Sequence, residues 1–152
     1  MAVENEQENS RMEALKLENQ LCFPLYAASR EIVKQYTPYL NEIGLTYTQY
    51  IVMMVLWEQK QIGAKQLGEL LFLDSGTITP VVKKLEQFGY VKRVRQTEDE
   101  RAVSIMITGQ GEQLRQRAAD IPQQIGSCIN LEKDEIQTLY RLLYKVLDRF
   151  RG

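Results

Sequence analysis

The chain contains no histidine and only 2 cysteines among its 152 residues. Without histidine it lacks the commonest general base near neutral pH and the commonest metal ligand. Cys22 and Cys128 are too few and too far apart to make a structural zinc site, so no metal and no cofactor is expected. A thiol peroxidase would need a Thr-x-x-Cys arrangement or a histidine beside its nucleophile, and neither surrounds Cys22. The chain is therefore not read as an enzyme, and it has no catalytic residues to nominate. It also lacks any run of about 18 apolar residues, which excludes a membrane-spanning helix. Its start, Met-Ala-Val-Glu-Asn-Glu-Gln-Glu-Asn-Ser, is acidic and has no apolar leader core. The expectation is a cytoplasmic protein. There, two isolated cysteines are either buried small apolar residues or redox-active thiols. No internal repeat and no low-complexity tract is evident.

Net charge is also lacking, at −1 overall, which taken alone argues against a polyanionic partner. The distribution of charge says otherwise. Residues 1–20 carry five carboxylates against two cations, whereas residues 80–101 carry six cations against four carboxylates. The basic excess is local and falls where the pattern below needs it.

That pattern runs from Ile62 to Arg101. Leu67, Leu70 and Leu71 mark a short helix that ends in a turn. A second helix opens at Asp74-Ser75, keeps Ile78, Val81, Val82 and Leu85 on one face, and stops at Gly89. Val91 to Arg95 alternates apolar and basic residues, Val103 to Ile107 alternates likewise, and 96–102 forms the tip between them. Helix, turn, helix and β-hairpin in this order make a winged helix-turn-helix, whose second helix enters a DNA major groove.

Long helices flank the module. One is predicted from about Glu13 to Gln35, with Leu17, Leu21, Leu25, Ala28 and Ile32 on one stripe and a kink at Pro24. Thr37-Pro38 and Gly44 then interrupt. Thr46 caps a helix from Tyr47 to about Glu58, and Ile62 supplies a short strand. Thr108 caps a helix to about Ala119, Pro122 and Gly126 break the chain, and a last helix runs from near Leu131 to Phe150 with Ile136, Leu139, Leu143, Val146 and Leu147 aligned. The fold class is mainly α with a small β-wing. Residues 1–12 read as a disordered acidic tail and 13–152 as a single domain. Within it, 13–45 and 108–152 are dimerisation helices and 46–107 is the DNA-binding region. A lone winged module needs far fewer residues, so the flanking helices are assigned to pairing two subunits on a palindromic operator.

Ser75, Thr77 and Thr79 lie in the first turns of the second helix, where base edges and phosphates are met. One of Asp74 and Ser75 is an N-cap instead. Lys83 and Lys84 follow and reach phosphate, unless they form an ordinary solvated face. Arg93 and Arg95 place positive charge on the wing. Asp99 can brace Arg101 through a charge-assisted hydrogen bond while the guanidinium enters a narrow minor groove, the alternative being a surface ion pair of little worth.

Leu-Asp-Ser-Gly-Thr-Ile-Thr-Pro at 73–80, Lys-Lys-Leu-Glu-Gln-Phe-Gly-Tyr-Val at 83–91 and Asp-Glu-Arg at 99–101 resemble the MarR family of dimeric bacterial transcriptional regulators. The resemblance covers nearly the whole chain. Leu-Glu-Asn-Gln-Leu-Cys-Phe at 17–23 is similar to the organic-hydroperoxide branch, OhrR, and the related AbfR-type oxidation sensors of staphylococci fit equally. The resemblance implies that Cys22 is the sensing thiol and that Tyr36 and Tyr47 hydrogen-bond its sulfur from another subunit. It further implies that Cys128 is a resolving thiol, forming an intersubunit disulfide that releases operator DNA when an organic hydroperoxide or other oxidant arrives. Phe23, Met54 and Trp57 could supply an apolar wall for the oxidant and Tyr26 a further lining, although such residues at helical spacing are more often plain core. The rival reading is a MarR-type regulator released by a small phenolic ligand, its cysteines inert.

Overall fold

The computed structural model describes the backbone of residues 2–151 and the side chains of residues 6–98 and 102–151. The chain divides into two compact units, Met1–Gln35 and Tyr36–Gly152, described here in turn.

In the first unit, residues expected to be an unstructured tail form helix α1, Ala2–Ala14. Glu, Gln, Met and Ala are good helix formers, and Arg11 in the last turn suits the negative end of the helix dipole. The predicted unbroken helix from Glu13 to Gln35 is also corrected. The chain leaves α1, makes a 3-10 turn at Leu17–Asn19 and restarts as α2, Cys22–Ile43. The Asn19 amide donates to the Glu13 carbonyl at 2.8 Å, and Gln20 donates to those of Ala14 and Lys16. These side chains satisfy carbonyls that the end of α1 leaves without helical partners. Pro24 therefore sits in the first turn of α2, where its missing N–H removes no helical bond, and the predicted mid-helix kink has no cause. Leu17, Leu21 and Leu25 are all exposed, Leu21 at 83%, so the apolar stripe of this unit has no cover within it.

Pro38 does lie in the interior of α2, which passes through it although Thr37-Pro38 was expected to interrupt the chain there. The lost bond is offset by burial of Leu40 and Ile43 just beyond. Gly44, in the left-handed conformation at φ 71°, ends the helix.

In the second unit, α3 (Tyr47–Gln59) starts with the expected Thr46 cap, and Gln49 returns a bond to complete a capping box. Val52, Met53 and Leu56 on this helix are fully buried. There follow β1 (Gln61–Gly63), α4 (Ala64–Leu71), α5 (Ser75–Gln87), β2 (Val91–Gln96) and β3 (Asp99–Ile107). The strands form an antiparallel sheet in the order β1-β3-β2, with Ile62 opposite Ile105 and Arg93 also opposite Ile105 on the other edge. The second wing strand begins at Asp99 rather than Val103, so the tip shrinks from 96–102 to a turn at Thr97-Glu98, with a register shift between Arg95 and Gln96. Strand pairing there outweighs the polar composition on which the longer tip was based.

Thr108 caps α6 (Gly109–Ala118) as expected, accepting from the Gly111 N–H at 3.1 Å. Its hydroxyl donates to the Gly89 carbonyl at 2.6 Å. Helix α7 (Ile121–Gly126) buries Ile121 and Ile125. Helix α8 (Lys133–Leu147) continues as a 3-10 turn to Phe150. It buries nothing: Ile136, Leu139, Tyr140, Leu142 and Val146 are exposed.

The Trp57 indole N–H donates to the Gly111 carbonyl at 2.9 Å in the interior, tying α3 to α6. Gly111 is required for that approach. A Cβ there would lie 2.2 Å from the Tyr90 carbonyl oxygen and 2.8 Å from Ile107 Cγ1. Gly111→Ala is expected to destabilise the fold by about 1–3 kcal/mol, the usual cost of overpacking a closed interior. A thermal melt reads this as a lowered midpoint, and an unchanged midpoint would show that α6 slides freely on the sheet.

Candidate functional site

The helix-turn-helix is set by its turn. Phe72 closes α4 with φ 55° and ψ 38°, a left-handed conformation uncommon for a non-glycine residue. The Leu73 N–H donates to the Gly68 carbonyl at 2.9 Å. A Cβ on Gly68 would stand 2.7 Å from the Leu73 carbonyl oxygen, so the turn folds tightly against α4 only because this residue is glycine. Of the two N-cap candidates, Asp74 does the capping, with its carboxylate accepting from the Thr77 N–H at 2.8 Å. Pro80 lies in the second turn of α5, where its missing N–H leaves the Gly76 carbonyl without its helical donor.

Ile78, Val82 and Leu85 are buried and fix which face of α5 looks outward. Ser75, Thr77, Thr79 and Lys83 are exposed, with Ser75, Thr79 and Lys83 at successive four-residue steps along one face. Hydroxyls at the helix start followed by an ammonium two turns on are the donors that base edges and phosphates accept. Lys84 is also exposed but turns elsewhere, with its ammonium 5.2 Å from the centre of the Phe88 ring.

The wing cations differ from one another. The Arg93 guanidinium meets Glu86 at 2.9 Å from Nε and 2.8 Å from Nη2, while its backbone N–H donates to the same carboxylate at 3.1 Å. These bonds hold the Glu86 carboxyl below the usual range and tie the base of the wing to the recognition helix. Arg93 is thus a brace whose charge is half-answered within the chain. Glu86 was missed as its partner because the two meet only when the chain reverses at Gly89. Arg95 is exposed on β2. Asp99 and Arg101 have their backbone in β3, but their side chains fall outside the described residues.

A second constellation lies at the start of the second unit. The Tyr36 and Tyr47 rings pack edge-on with centroids 4.9 Å apart, so two of the nominated residues are brought together. Tyr50 joins them, 5.8 Å from Tyr36, 6.3 Å from Tyr47 and 6.2 Å from Trp57. Burial pushes all three phenols up, and Tyr50 reaches about 12 with help from its two neighbours. At neutral pH they are protonated donors. Tyr50 was not nominated, yet its place one turn beyond Tyr47 on α3 was the available signal. Trp57 is buried in the core, with its indole N–H on the Gly111 carbonyl. Met54 is exposed on the same helix.

Cys22 is the first residue of α2 and is exposed, contrary to the buried small-residue reading. Tyr26, one turn on, is exposed with the Arg30 guanidinium 5.4 Å from its ring centre. Cys128 is exposed two residues past α7, and its thiol donates weakly to the Gln124 carbonyl at 3.5 Å. Both are free thiols.

Known proteins are similar to this chain. A family model for the transcriptional regulator SarA/Rot matches residues 34–118. The organic hydroperoxide resistance transcriptional regulator of Bacillus subtilis is 44% identical over 142 residues, covering 91% of this chain and 95% of that protein. The chain belongs to the MarR family of regulators, in its OhrR-like branch. Among solved structures, reduced AbfR bound to DNA superposes with a TM-score of 0.74 and 37% identity over 93% of this chain and 99% of that one. Disulfide-formed AbfR superposes less closely, with a TM-score of 0.64 and 36% identity over 95% and 99% of the two chains. Like its relatives, the chain is a DNA-binding transcriptional regulator and not an enzyme. Among the described residues, no helix is long and apolar enough to cross a membrane.

Lys83 offers a direct check on the outward face of α5. Lys83→Ala is expected to weaken binding to all DNA sequences alike. The slope of log affinity against log salt should fall by about one, as for one lost phosphate contact. A base-specific loss with an unchanged slope would move Lys83 from the backbone to a base edge.

Proposed function

We propose that the protein is a cytoplasmic homodimeric repressor that releases a palindromic operator when Cys22 is oxidised by an organic hydroperoxide or a similar oxidant. The observation that carries this reading is the exposure of both thiols at helix ends, in a chain nearly half identical to a hydroperoxide regulator. Within one subunit nothing covers the Cys22 thiol. The unpartnered apolar faces at Leu17–Leu25 and along α8 supply the surface for a second subunit.

The chemistry is a two-step thiol oxidation. The Cys22 thiolate attacks the terminal peroxide oxygen, the O–O bond breaks, and the alkoxide leaves with a proton as the alcohol. Cys22 is left as a sulfenic acid. The Cys128 thiolate of the other subunit then displaces hydroxide from that sulfur, which leaves as water, and an intersubunit disulfide forms. Tyr36 and Tyr47, protonated at neutral pH, donate hydrogen bonds to the reduced sulfur from the other subunit and lose that contact on oxidation. Both lie within reach of α3, which packs on α4 and α5. A shift there changes the separation of the recognition helices from the roughly 34 Å that matches one DNA turn. DNA contact falls to Ser75, Thr77, Thr79 and Lys83 on the helix and to Arg95 and Arg101 on the wing, with Lys84 and the Glu86-paired Arg93 adding positive charge beside them.

An operator mobility-shift titration tests this. Reduced protein should bind, cumene hydroperoxide should release it, and dithiothreitol should restore binding. Release by a phenolic ligand with no response to peroxide would favour the rival reading.

A further inference from the structure

The C-terminal turn touches the helix-turn-helix at the residue that sets its angle. The Arg151 guanidinium stands 5.5 Å from the centre of the Phe72 ring and 6.0 Å from that of Tyr144, and its Nη1 lies 3.5 Å from the Asp148 carboxylate. Phe72 belongs to the turn between α4 and α5, Tyr144 and Asp148 to α8 and its extension. One cation therefore bridges the reading head and the last helix. Phe150 and Arg151 share an open groove of about 890 Å³ with Ser75 and Thr79 of the recognition helix.

We propose that Arg151 is a positioning residue for operator binding, a clasp that holds the α4–α5 turn to α8. The argument starts from Phe72. A bulky residue at positive φ persists only where its surroundings over-determine it. Gly68 and the Leu73 hydrogen bond hold its backbone from one side. The guanidinium on its ring holds the side chain from the other, by cation–π attraction. Asp148 fixes where that guanidinium can be, and Tyr144 gives it a second face. Arginine suits the place because a planar guanidinium stacks on two rings while keeping an N–H for a carboxylate. Helix α8 buries nothing within its own chain, so its orientation is set by whatever covers its apolar stripe. The clasp passes that orientation to the recognition helix. Its role in half-site spacing rests on the proposed dimer, whereas its hold on the turn does not.

The test is a double-substitution cycle on the reduced full chain. Operator affinity is measured for the parent, Arg151→Ala, Phe72→Leu and the pair, together with sedimentation and a thermal melt. Arg151→Ala is expected to weaken operator binding about two- to fivefold, the range of an exposed cation–π contact. The melting midpoint should fall by no more than about a few degrees, and sedimentation should stay unchanged. Phe72→Leu should lose a similar factor, and the pair should lose no more than either alone, since both remove one contact. Arg151→Lys should recover part of the loss. The parent should discriminate an operator whose half-sites are moved apart by one base pair, and Arg151→Ala should discriminate it less. The salt dependence should be the same for parent and Arg151→Ala. A salt slope lower by about one for Arg151→Ala, with Phe72→Leu silent, would overturn the clasp and make Arg151 a direct phosphate contact. Additive losses, or unchanged affinity, would overturn it as well. A parent that sediments as a monomer would instead strike at the dimer, and the cycle would still report on the clasp.

Discussion

Cys22→Ser is expected to bind operator as tightly as the parent and to stay bound when organic hydroperoxide is added. The swap exchanges a thiol for a hydroxyl of nearly the same size. It costs no packing within the subunit, where Cys22 is exposed at the start of α2. Serine is also a good residue at a helix start, so α2 keeps its first turn. What disappears is the proposed step that consumes peroxide. A serine hydroxyl is a poor nucleophile at neutral pH and forms no sulfenic acid. The effect is therefore close to all-or-none in the midpoint of release, while affinity before oxidant is untouched. A mobility-shift titration against cumene hydroperoxide reads both quantities on one gel. Release of the serine variant with the parent midpoint would remove Cys22 as the sensor and leave the oxidant another target.

Much of this molecule is legible in its sequence because the governing signals are local. Thr46, Asp74 and Thr108 sit where a hydroxyl or carboxylate can accept the orphan N–H groups of a helix, and each does so. The spacing of Ile78, Val82 and Leu85 fixes the buried face of α5, and with it the outward row of Ser75, Thr79 and Lys83. Errors arise where an interaction comes from a distance. Pro24 and Pro38 exchange their expected roles because a helix start at Cys22 turns one into a first-turn residue, while burial of Leu40 and Ile43 carries α2 past the other. Glu86 cannot be paired with Arg93, nor Arg151 with Phe72, until the chain has folded back on itself. The leucines at 17, 21 and 25 show the converse. Their periodicity is plain, but nothing in their own unit covers them.

That missing cover bears on the second large effect. After oxidation the protein is expected to run as a covalent dimer on a non-reducing gel, joined through Cys22 of one subunit and Cys128 of the other. Peptide mapping should find that pair and no other. Cys22 begins α2, beside the uncovered leucines, and Cys128 stands between α7 and the equally uncovered α8. Both thiols thus border the surfaces assigned to the partner. A disulfide needs Cα atoms within about 7 Å and a particular torsion, so the Cys128 segment must be able to travel. The structure makes that inexpensive. Helix α7 has six residues, too few to be stable alone, and is held by Ile121 and Ile125. Beyond Ile125 the segment is exposed apart from a half-buried Ile129, and its hydrogen bonds among the described residues are local: the Cys128 N–H to the Ile125 carbonyl at 2.9 Å, the Ser127 hydroxyl to the Gln124 carbonyl at 2.7 Å, the weak thiol contact with that same carbonyl, and backbone turns. Gly126 adds backbone freedom at the point of departure. Cys128→Ser should therefore leave Cys22 without its resolving thiol. It should still release DNA, but with Cys22 held as a sulfenic acid or a mixed disulfide with a small thiol, and more easily carried on to the sulfinic acid that dithiothreitol does not reverse. Mass spectrometry of the oxidised variant should show that added mass, and restoration of DNA binding by dithiothreitol should be less complete than in the parent. Finding Cys22 of the parent bridged only to a small thiol, with Cys128 still free, would sink the two-cysteine mechanism and leave a sensor that works with one.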